Sequence, residues 1–392
     1  MKKILFVIES LACAGAEKSL ITLLNLIDYK HYEVDLQLFS FGGELETLVP
    51  KDVHILPPLP YFEECNVPLF KSFKETSWKF FRSRVMYSLK LRTGNFNNKE
   101  KAVLLWKACH TCFAPTKEYD VAIAYAQCLP TFYVADCVRA KKKIAWVNAV
   151  FQPTGWCKEY NLHMYKTFDH ISTVSQQVDD VFRQVFPDIS NKCIVIRDMI
   201  DGQMINAMAE RLSTAASEMN GSHIKLLTVG RLDYLKGYDL AIEAGRILKD
   251  KNIDFIWYIL GKGELEGNIR NQIEKLGLQD NFQLLGVRTN PYPYFKQAHI
   301  YVQTSREEGF GLAIAEARIL NIPVVTTRFS AVYTQMVEGK NGLVVDIDSE
   351  AIANGILSLI TNKKLYNDIV EYQKKEDKQY IEEISKIYTI IN

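Results

Sequence analysis

Ser305-Arg306-Glu307-Glu308-Gly309-Phe310-Gly311-Leu312-Ala313-Ile314-Ala315-Glu316 decides how this chain is read. Just ahead of it, Ala298-His299-Ile300-Tyr301-Val302-Gln303-Thr304 is dominated by β-branched and apolar residues and reads as a buried strand. Gly309-Phe310-Gly311 then turns the chain into a helix. A strand that passes through a glycine turn into a helix leaves free backbone N–H groups at a partly positive helix end, where a phosphate is held. Glu308, just before the turn, is poorly suited to face that phosphate. Its better use is to accept hydrogen bonds from sugar hydroxyls. Glu316 follows eight positions later, inside the helix, within reach of a ribose. The pair reads as a nucleotide-sugar site. Two glutamates at this spacing without the turn would read as a solvated acidic loop and a surface helix.

A second strand-to-loop segment supports the same chemistry. Lys225-Leu226-Leu227-Thr228-Val229-Gly230 leads into Arg231-Leu232-Asp233-Tyr234-Leu235-Lys236-Gly237. Arg231 and Lys236 are five positions apart across a loop, so both can converge on one diphosphate. Arginine offers a planar fork and lysine a mobile point charge. Such a pair alone is more often a solvated loop. Two phosphate-suited loops in one half of the chain argue otherwise.

With these motifs the chain resembles the retaining glycosyltransferases of family 4, the group 1 enzymes. The carrying residues are Val229-Gly230-Arg231-Leu232, Lys236-Gly237 and Glu308-Gly309-Phe310-Gly311 with Glu316. Gly15-Ala16-Glu17 fits the family's amino-terminal glycine loop. The likeness runs in element order over nearly all of residues 1–360. It implies an α/β GT-B fold, two Rossmann-like doubly wound domains facing across a cleft. It implies that Arg231 and Lys236 hold the donor pyrophosphate, Glu308 the sugar hydroxyls, Glu316 the ribose, and the Gly309–Leu312 amides the phosphate or sugar. Gly15, Gly230, Gly261, Gly263 and Val287 complete the expected donor site. Catalysis is assigned to Arg231, Lys236 and Glu308. Glu17, Gln127 and Asn148 are the acceptor-side candidates. The donor is expected to be a UDP-sugar, with no further cofactor and no metal, and the sugar a hexose or N-acetylhexosamine. The acceptor is expected to be a glycan or lipid-linked hydroxyl in cell-surface polysaccharide synthesis.

The chain has 392 residues, enough for two domains with cores of their own. A net charge of +1 gives no argument for nucleic acid. No run approaches the roughly 18 apolar residues of a membrane helix. Met1-Lys2-Lys3-Ile4-Leu5-Phe6-Val7-Ile8-Glu9 offers an apolar core of five residues, too short for a signal segment, and reads as a first buried strand. All eight cysteines lie in the first half. Cys109-His110-Thr111-Cys112 is half a zinc pattern with no matching second half, so core thiols are expected. A cytoplasmic protein, peripheral on the inner face of the membrane, is the expected setting.

Strand-like runs alternate with helical patterns: Ile4–Ile8, Val34–Phe39, Val121–Tyr125, Ile144–Val147, His170–Val174 and Cys193–Ile196, then Leu226–Val229, Phe255–Leu260, Phe282–Leu284, Ile300–Gln303 and Val324–Thr327. This is the pattern of doubly wound α/β units. The expected domains are 1–200, on the acceptor side, and 201–365, on the nucleotide-sugar side. A terminal helix over 366–392 crosses back to the first domain by analogy with the fold.

Residues 61–115 form a basic, aromatic insertion. Between Lys71 and Arg92 stand seven Lys/Arg and one acid, Glu75, interleaved with Phe73, Trp78, Phe80 and Phe81. Two readings stand: docking on an anionic membrane where a lipid-linked acceptor is met, or aromatics that fill the first domain's core. Gly261-Lys262-Gly263-Glu264-Leu265-Glu266-Gly267 misses the dinucleotide fingerprint by one position and reads as a short glycine loop beside a nucleotide or a structural turn. Asp346-Ile347-Asp348 precedes a helical run, so Asp348 or Ser349 is expected as an N-cap rather than a metal ligand.

Two departures from the family pattern matter. Ala14 stands where many members carry a second glycine. Asn148 stands where members often carry His, and it cannot act as an acid or base near neutral pH. A front-face retaining route, in which the leaving phosphate takes the acceptor proton, needs no such base. The competing readings are a GT-B-fold nucleotide-sugar epimerase, which would carry extra acid/base residues, and a non-catalytic nucleotide-sugar-binding partner of a transferase, which would be expected to lose Lys236 or Glu308.

Overall fold

The computed structural model describes residues 1–12, 14–65, 77–211, 213–376, 378 and 382–392. The chain divides into two units. One contains Met1–Ala12, Ala16–Arg197 and Glu382–Asn392, the other Cys13–Gly15 and Asp198–Ile381.

The first unit is built on seven parallel strands: β1 (Lys2–Ile8), β2 (Tyr32–Leu38), β3 (Val53–Ile55), β4 (Glu118–Ala124), β5 (Arg139–Val147), β6 (His170–Thr173) and β7 (Cys193–Val195). Their order is β3-β2-β1-β4-β5-β6-β7. The central strand β1 is the apolar run that could be mistaken for a leader. Ile4, Leu5, Phe6 and Val7 are fully buried, as a strand covered on both faces must be. It pairs in register with β2, Ile4 to Val34, and with β4, Ile4 to Val121.

The second unit holds six parallel strands: β8 (Ile224–Val229), β9 (Phe255–Leu260), β10 (Phe282–Gly286), β11 (Ile300–Gln303), β12 (Val324–Thr327) and β13 (Gly342–Val345). The order is β10-β9-β8-β11-β12-β13. Its core joins Leu226, Trp257, Ile259, Val302 and Val325 of the sheet to Ile242, Leu248 and Ile356 of the covering helices. Trp257 is fully buried, stacks on Phe282 at 5.4 Å and donates its indole N–H to Thr228 Oγ1 at 2.9 Å.

Both sheets are doubly wound, as the alternation implies. In each, the chain moves outward from a central strand, then returns to that strand's other side. Ligands of such sheets sit beyond the carboxyl ends of the strands where the direction reverses. In the second unit that point lies between β8 and β11. These strands pair only at Ile300–Leu226 and Tyr301–Leu227, so they part before their carboxyl ends.

The sequence reading differs from the structure at the termini of its segments. The first stretch of the first unit ends at Arg197. The segment read as one terminal helix contains two, Lys363–Lys375 in the second unit and Glu383–Ile391 in the first. The edge strands β3 and β13, of three and four residues, are too short to show a period. In the insertion, helices Pro60–Cys65, Trp78–Leu91 and Asn98–Cys109 lie between β3 and β4. Lys71, Phe73, Lys74 and Glu75 lie outside the described residues. Among the described residues no helix is long and apolar enough to cross a membrane.

Candidate functional site: the strand ends of the second unit

The loops after β8 and β11 are sewn together by backbone. The N–H of Arg306 donates to Leu235 O at 2.7 Å, and Thr304 Oγ1 donates to Lys236 O at 2.8 Å. Between them sits Gly237, with φ +64° and an ideal Cβ position only 2.1 Å from Thr304 O. No other residue fits there without moving the loop. Arg306 adds a fork-to-fork pair with Asp239, at 2.9 and 2.6 Å, and lies 4.3 Å over the Tyr234 ring. Its guanidinium holds the Asp239 carboxyl below the usual carboxylate range.

This stitching brings Lys236 and Glu308 into contact across 72 positions of sequence. Lys236 Nζ lies 2.5 Å from Glu308 Oε1, and their side chains are 19% and 12% exposed. The same oxygen accepts from Gln303 Nε2 at 2.5 Å and Ser305 Oγ at 2.7 Å. Gln303 Nε2 also reaches Ser305 Oγ, and the Tyr301 hydroxyl donates to Gln303 Oε1. Burial pushes the Tyr301 hydroxyl well up, so it stays a neutral donor. Among the described residues no hydrogen bond reaches Glu308 Oε2. The carboxylate is therefore held by one oxygen and can offer the other to a hydroxyl.

Arg231 is placed differently from Lys236. Its side chain is 67% exposed, and among the described residues its ion-pair contact is Asp233, 3.5 Å away. The loop thus presents one mobile cation and one latched cation, rather than two already turned on a single point.

Glu316 lies on the helix Leu312–Ile319, buried to 3%, and accepts from the Tyr292 hydroxyl at 3.1 Å. Gly311 caps that helix with φ +84°. Phe310 is buried, and Gln335 Nε2 donates to the carbonyls of Phe310 and Gly311 at 2.5 and 3.1 Å. Gly261 and Gly263 have a local reason to be glycine. Cβ atoms there would fall 1.9 Å from Gly230 O and 2.4 Å from Leu232 O, so the loops after β8 and β9 need both for close backbone approach. Val287 follows β10 and is half-buried.

Glu17, Gln127 and Asn148 belong to the first unit, whereas Gly15 falls in the second, where a Cβ on it would lie 3.3 Å from Leu312 Cδ1. Gly15 opens the helix Gly15–Leu26, with Glu17 half-buried in its first turn. Gln127 and Asn148 lace the loops after β4 and β5, Gln127 Nε2 to Ala149 O at 3.0 Å and Asn148 Nδ2 to Tyr125 O at 2.7 Å. Asn148 Oδ1 is buried with no protein donor among the described residues. Asp348 caps the helix Ser349–Thr361, accepting from the N–H groups of Glu350 and Ala351 at 2.9 Å each. Asp346 pairs with Arg328 at 3.2 Å.

Sequence reading missed Gln303, Ser305, Tyr292 and Gln335. Gln303 ends β11 and Ser305 follows it two positions on, both buried, and a polar pair at the end of a buried strand was the available signal. Tyr292 and Gln335 come from distant segments and gave none.

Residues 211–376 match the family model described as glycosyl transferases, group 1. An uncharacterized glycosyltransferase of Haemophilus influenzae is 25% identical over 388 residues, 97% of this chain and 96% of that protein. The lipopolysaccharide core biosynthesis glycosyltransferase LpsE of Rhizobium meliloti is 29% identical over 147 residues, 37% of this chain and 42% of that one. An uncharacterized glycosyltransferase of Methanocaldococcus jannaschii is 28% identical over 166 residues, 42% of this chain and 41% of its own length. With the last two the likeness spans less than half of either protein. Among solved structures, HepE of Anabaena in complex with UDP and glucose superposes with a TM-score of 0.72 at 18% identity, covering 99% of both chains. TarM of S. aureus, in a complex that includes UDP, gives 0.69 at 14%, covering all of both chains. The fold is GT-B.

Proposed function

We propose that this chain, a group 1 glycosyltransferase by its residues 211–376, moves a sugar from a nucleoside diphosphate sugar, UDP by preference, to a hydroxyl of a glycan or lipid-linked acceptor, with retention at the anomeric carbon. The observation that carries the reading is the Lys236–Glu308 pair, held where β8 and β11 part. The names of related proteins support the acceptor class. They include LpsE and a Campylobacter jejuni N-acetylgalactosaminyltransferase whose acceptor is a diphospho-undecaprenol.

In this reading the donor diphosphate draws Lys236 off Glu308 and Arg231 out of solvent. Glu308 stays in place on Gln303 and Ser305, and its free oxygen accepts from sugar hydroxyls. The bond between the anomeric carbon and the diphosphate oxygen breaks, and its electron pair leaves on the phosphate. Arg231, Lys236 and the amides of the glycine turn stabilise that growing charge. The acceptor oxygen bonds to the same face of the carbon, and its proton passes to the departing phosphate oxygen. Asn148 is not asked to act as a base. The cations and the helix end do this without a metal ion.

The exposed face of the helix Trp78–Leu91 fits the acceptor side of the proposal. Trp78, Met86 and Leu89 are exposed beside Lys79, Arg82 and Lys90, a composition suited to an anionic membrane surface.

The test is release of UDP from UDP-glucose and UDP-N-acetylglucosamine, with and without a bacterial lipid extract, in EDTA. Extract-dependent release that persists in chelator is expected. Loss of release in EDTA, restored by Mn²⁺ or Mg²⁺, would defeat the metal-free part. Absence of both release and UDP binding would defeat the whole.

A further inference from the structure

Gln335 packs against the glycine turn and is 5% exposed. Its Nε2 donates to Phe310 O at 2.5 Å and Gly311 O at 3.1 Å. Its Oε1 accepts from Arg318 Nη1 at 3.3 Å, which fixes which end of the amide faces the turn. Arg318 is 3% exposed and is itself tied to Glu376 at 2.6 Å. Asn341, fully buried, donates to both Gln335 O and Glu376 Oε1 at 2.9 Å. Gln373 closes the cluster on Asn341 O at 2.7 Å.

A trans peptide is planar, with its carbonyl and the next N–H on opposite sides. Holding Phe310 O toward Gln335 therefore turns the Gly311 N–H away from it. Holding Gly311 O does the same to the Leu312 N–H. Neither amide finds a protein acceptor among the described residues. The helix's own N–H groups of Ile314 and Ala315 also hold Gly311 O, at 2.9 and 3.4 Å, so the 311–312 peptide is set by the helix start, whereas Gly311, with φ +84°, leaves the 310–311 peptide free to take either orientation. In the other orientation a carbonyl would face an incoming phosphate.

We infer that Gln335 is the positioning residue of the donor site: it holds the Phe310 carbonyl of the Gly309–Leu312 turn inward and so aims the Gly311 amide at the diphosphate, beside the Leu312 amide that the helix start already presents. The inference rests on the donor reading for its ligand, but the orientation of the turn does not depend on it. Arg318, Glu376 and Asn341 act one step behind, by holding Gln335. Removing Gln335 would also leave Arg318 short of an acceptor in a buried site.

Gln335→Leu keeps the volume and removes the donor. Gln335→Glu keeps an acceptor for Arg318 and sets a carboxylate against the two carbonyls. Calorimetry with UDP and with uridine separates positioning from general damage. Both variants should bind UDP at least about tenfold more weakly than wild type and uridine equally well, because only the diphosphate meets these amides. A crystal structure of Gln335→Leu should show the 310–311 peptide turned over. Equal losses for UDP and uridine, or an unturned 310–311 peptide, overturns the inference. If wild type binds neither nucleotide the donor reading falls, and the crystal structure alone then decides whether Gln335 orients the turn.

Discussion

At the scale of single residues, Lys236 and Glu308 are each other's partner before any substrate arrives. On the proposed donor reading, Lys236→Ala should lower kcat roughly 10²-fold, since it would remove a charge matched to the leaving diphosphate. Glu308→Gln should lower turnover while leaving UDP affinity equal or improved, because the lysine no longer has to be drawn from a carboxylate. Rate and calorimetry on both variants check this, and weakened UDP binding by Glu308→Gln would contradict the latch. Asp35 gives a prediction about pH. On β2 it accepts from Tyr119 OH at 2.6 Å, Lys117 Nζ at 2.8 Å and His54 Nδ1 at 3.1 Å. Burial pushes its carboxyl up, but the bonds from Lys117, Tyr119 and His54 outweigh that and hold it below the ordinary 3.8. A carboxyl depressed in the folded state contributes stability in full above its unfolded value and loses it as pH falls through the folded one. Urea unfolding of wild type and Asp35→Asn should differ at pH 7 and converge as the pH falls through the depressed value of the folded state. A constant gap would show that the carboxylate's charge is not what matters. The placement of Arg231, Lys236 and Glu308 on strand-to-loop turns and of Glu316 inside the following helix was legible because each sits in a local motif. That Lys236 is latched to Glu308, and that Glu316 holds Tyr292, was not. Those contacts join loops and helices far apart in sequence, and no short-range pattern reports them.

At the scale of elements, the helix Trp78–Leu91 divides the two readings of the basic insertion between its faces. Phe80 packs edge-on against Tyr61 at 5.6 Å, within a cluster that also takes in Phe62, Phe113 and Trp106. Trp78 is 67% exposed and stacks on Phe81, and Leu89 is 56% exposed. Core filling therefore accounts for the inner face and leaves the outer one to be explained. The helix contains Lys79, Arg82, Arg84 and Lys90 and no acid. Each basic residue near an anionic surface adds about 1 kcal/mol, weakened by salt. Flotation with vesicles containing phosphatidylglycerol should show salt-sensitive binding. Lys79→Ser with Arg82→Ser should reduce it and leave UDP affinity unchanged. Identical flotation of both proteins would remove the membrane from the proposal. Aromatic and basic content was visible in the sequence. Which aromatics turn inward was not, because Phe80 and Phe81 are neighbours and only the packed helix assigns them to different faces. The same holds for the cysteine pair in this insertion. Cys109 is buried beneath the aromatic cluster, and burial pushes its thiol up, as suits a core residue.

At the scale of the whole molecule, the alternation of strands and helices revealed two doubly wound sheets but not where the chain's end belongs. A helical period over 365–392 says that helices form there, not which core they complete. The structure gives Glu383–Ile391 to the first unit. Ile387, Ile390 and Ile391 are buried to 3% or less, and Tyr388 stacks on Tyr32 at 5.6 Å. Polar ties fasten the same helix: Asp28 N–H to Tyr388 OH at 3.0 Å, Tyr32 OH to Asn392 Oδ1 at 3.0 Å, and Lys142 Nζ to Ile390 O at 2.9 Å. A buried isoleucine contributes about 1.5–3 kcal/mol. Three of them amount to a large share of the 5–15 kcal/mol that typically stabilises a domain. Deleting 382–392 should therefore weaken the first unit, although the deleted residues are nearly 200 positions from its last preceding one. The second unit keeps its own core and the loops after β8 and β11, so on the proposed donor reading it should still bind UDP. Hydrogen exchange should show lost protection on β1 and β2, with Trp257 and its neighbours on β8 and β9 unchanged, and calorimetry should return the wild-type UDP affinity. Unchanged protection throughout residues 1–197 would mean that the terminal helix only covers the first unit without holding it together.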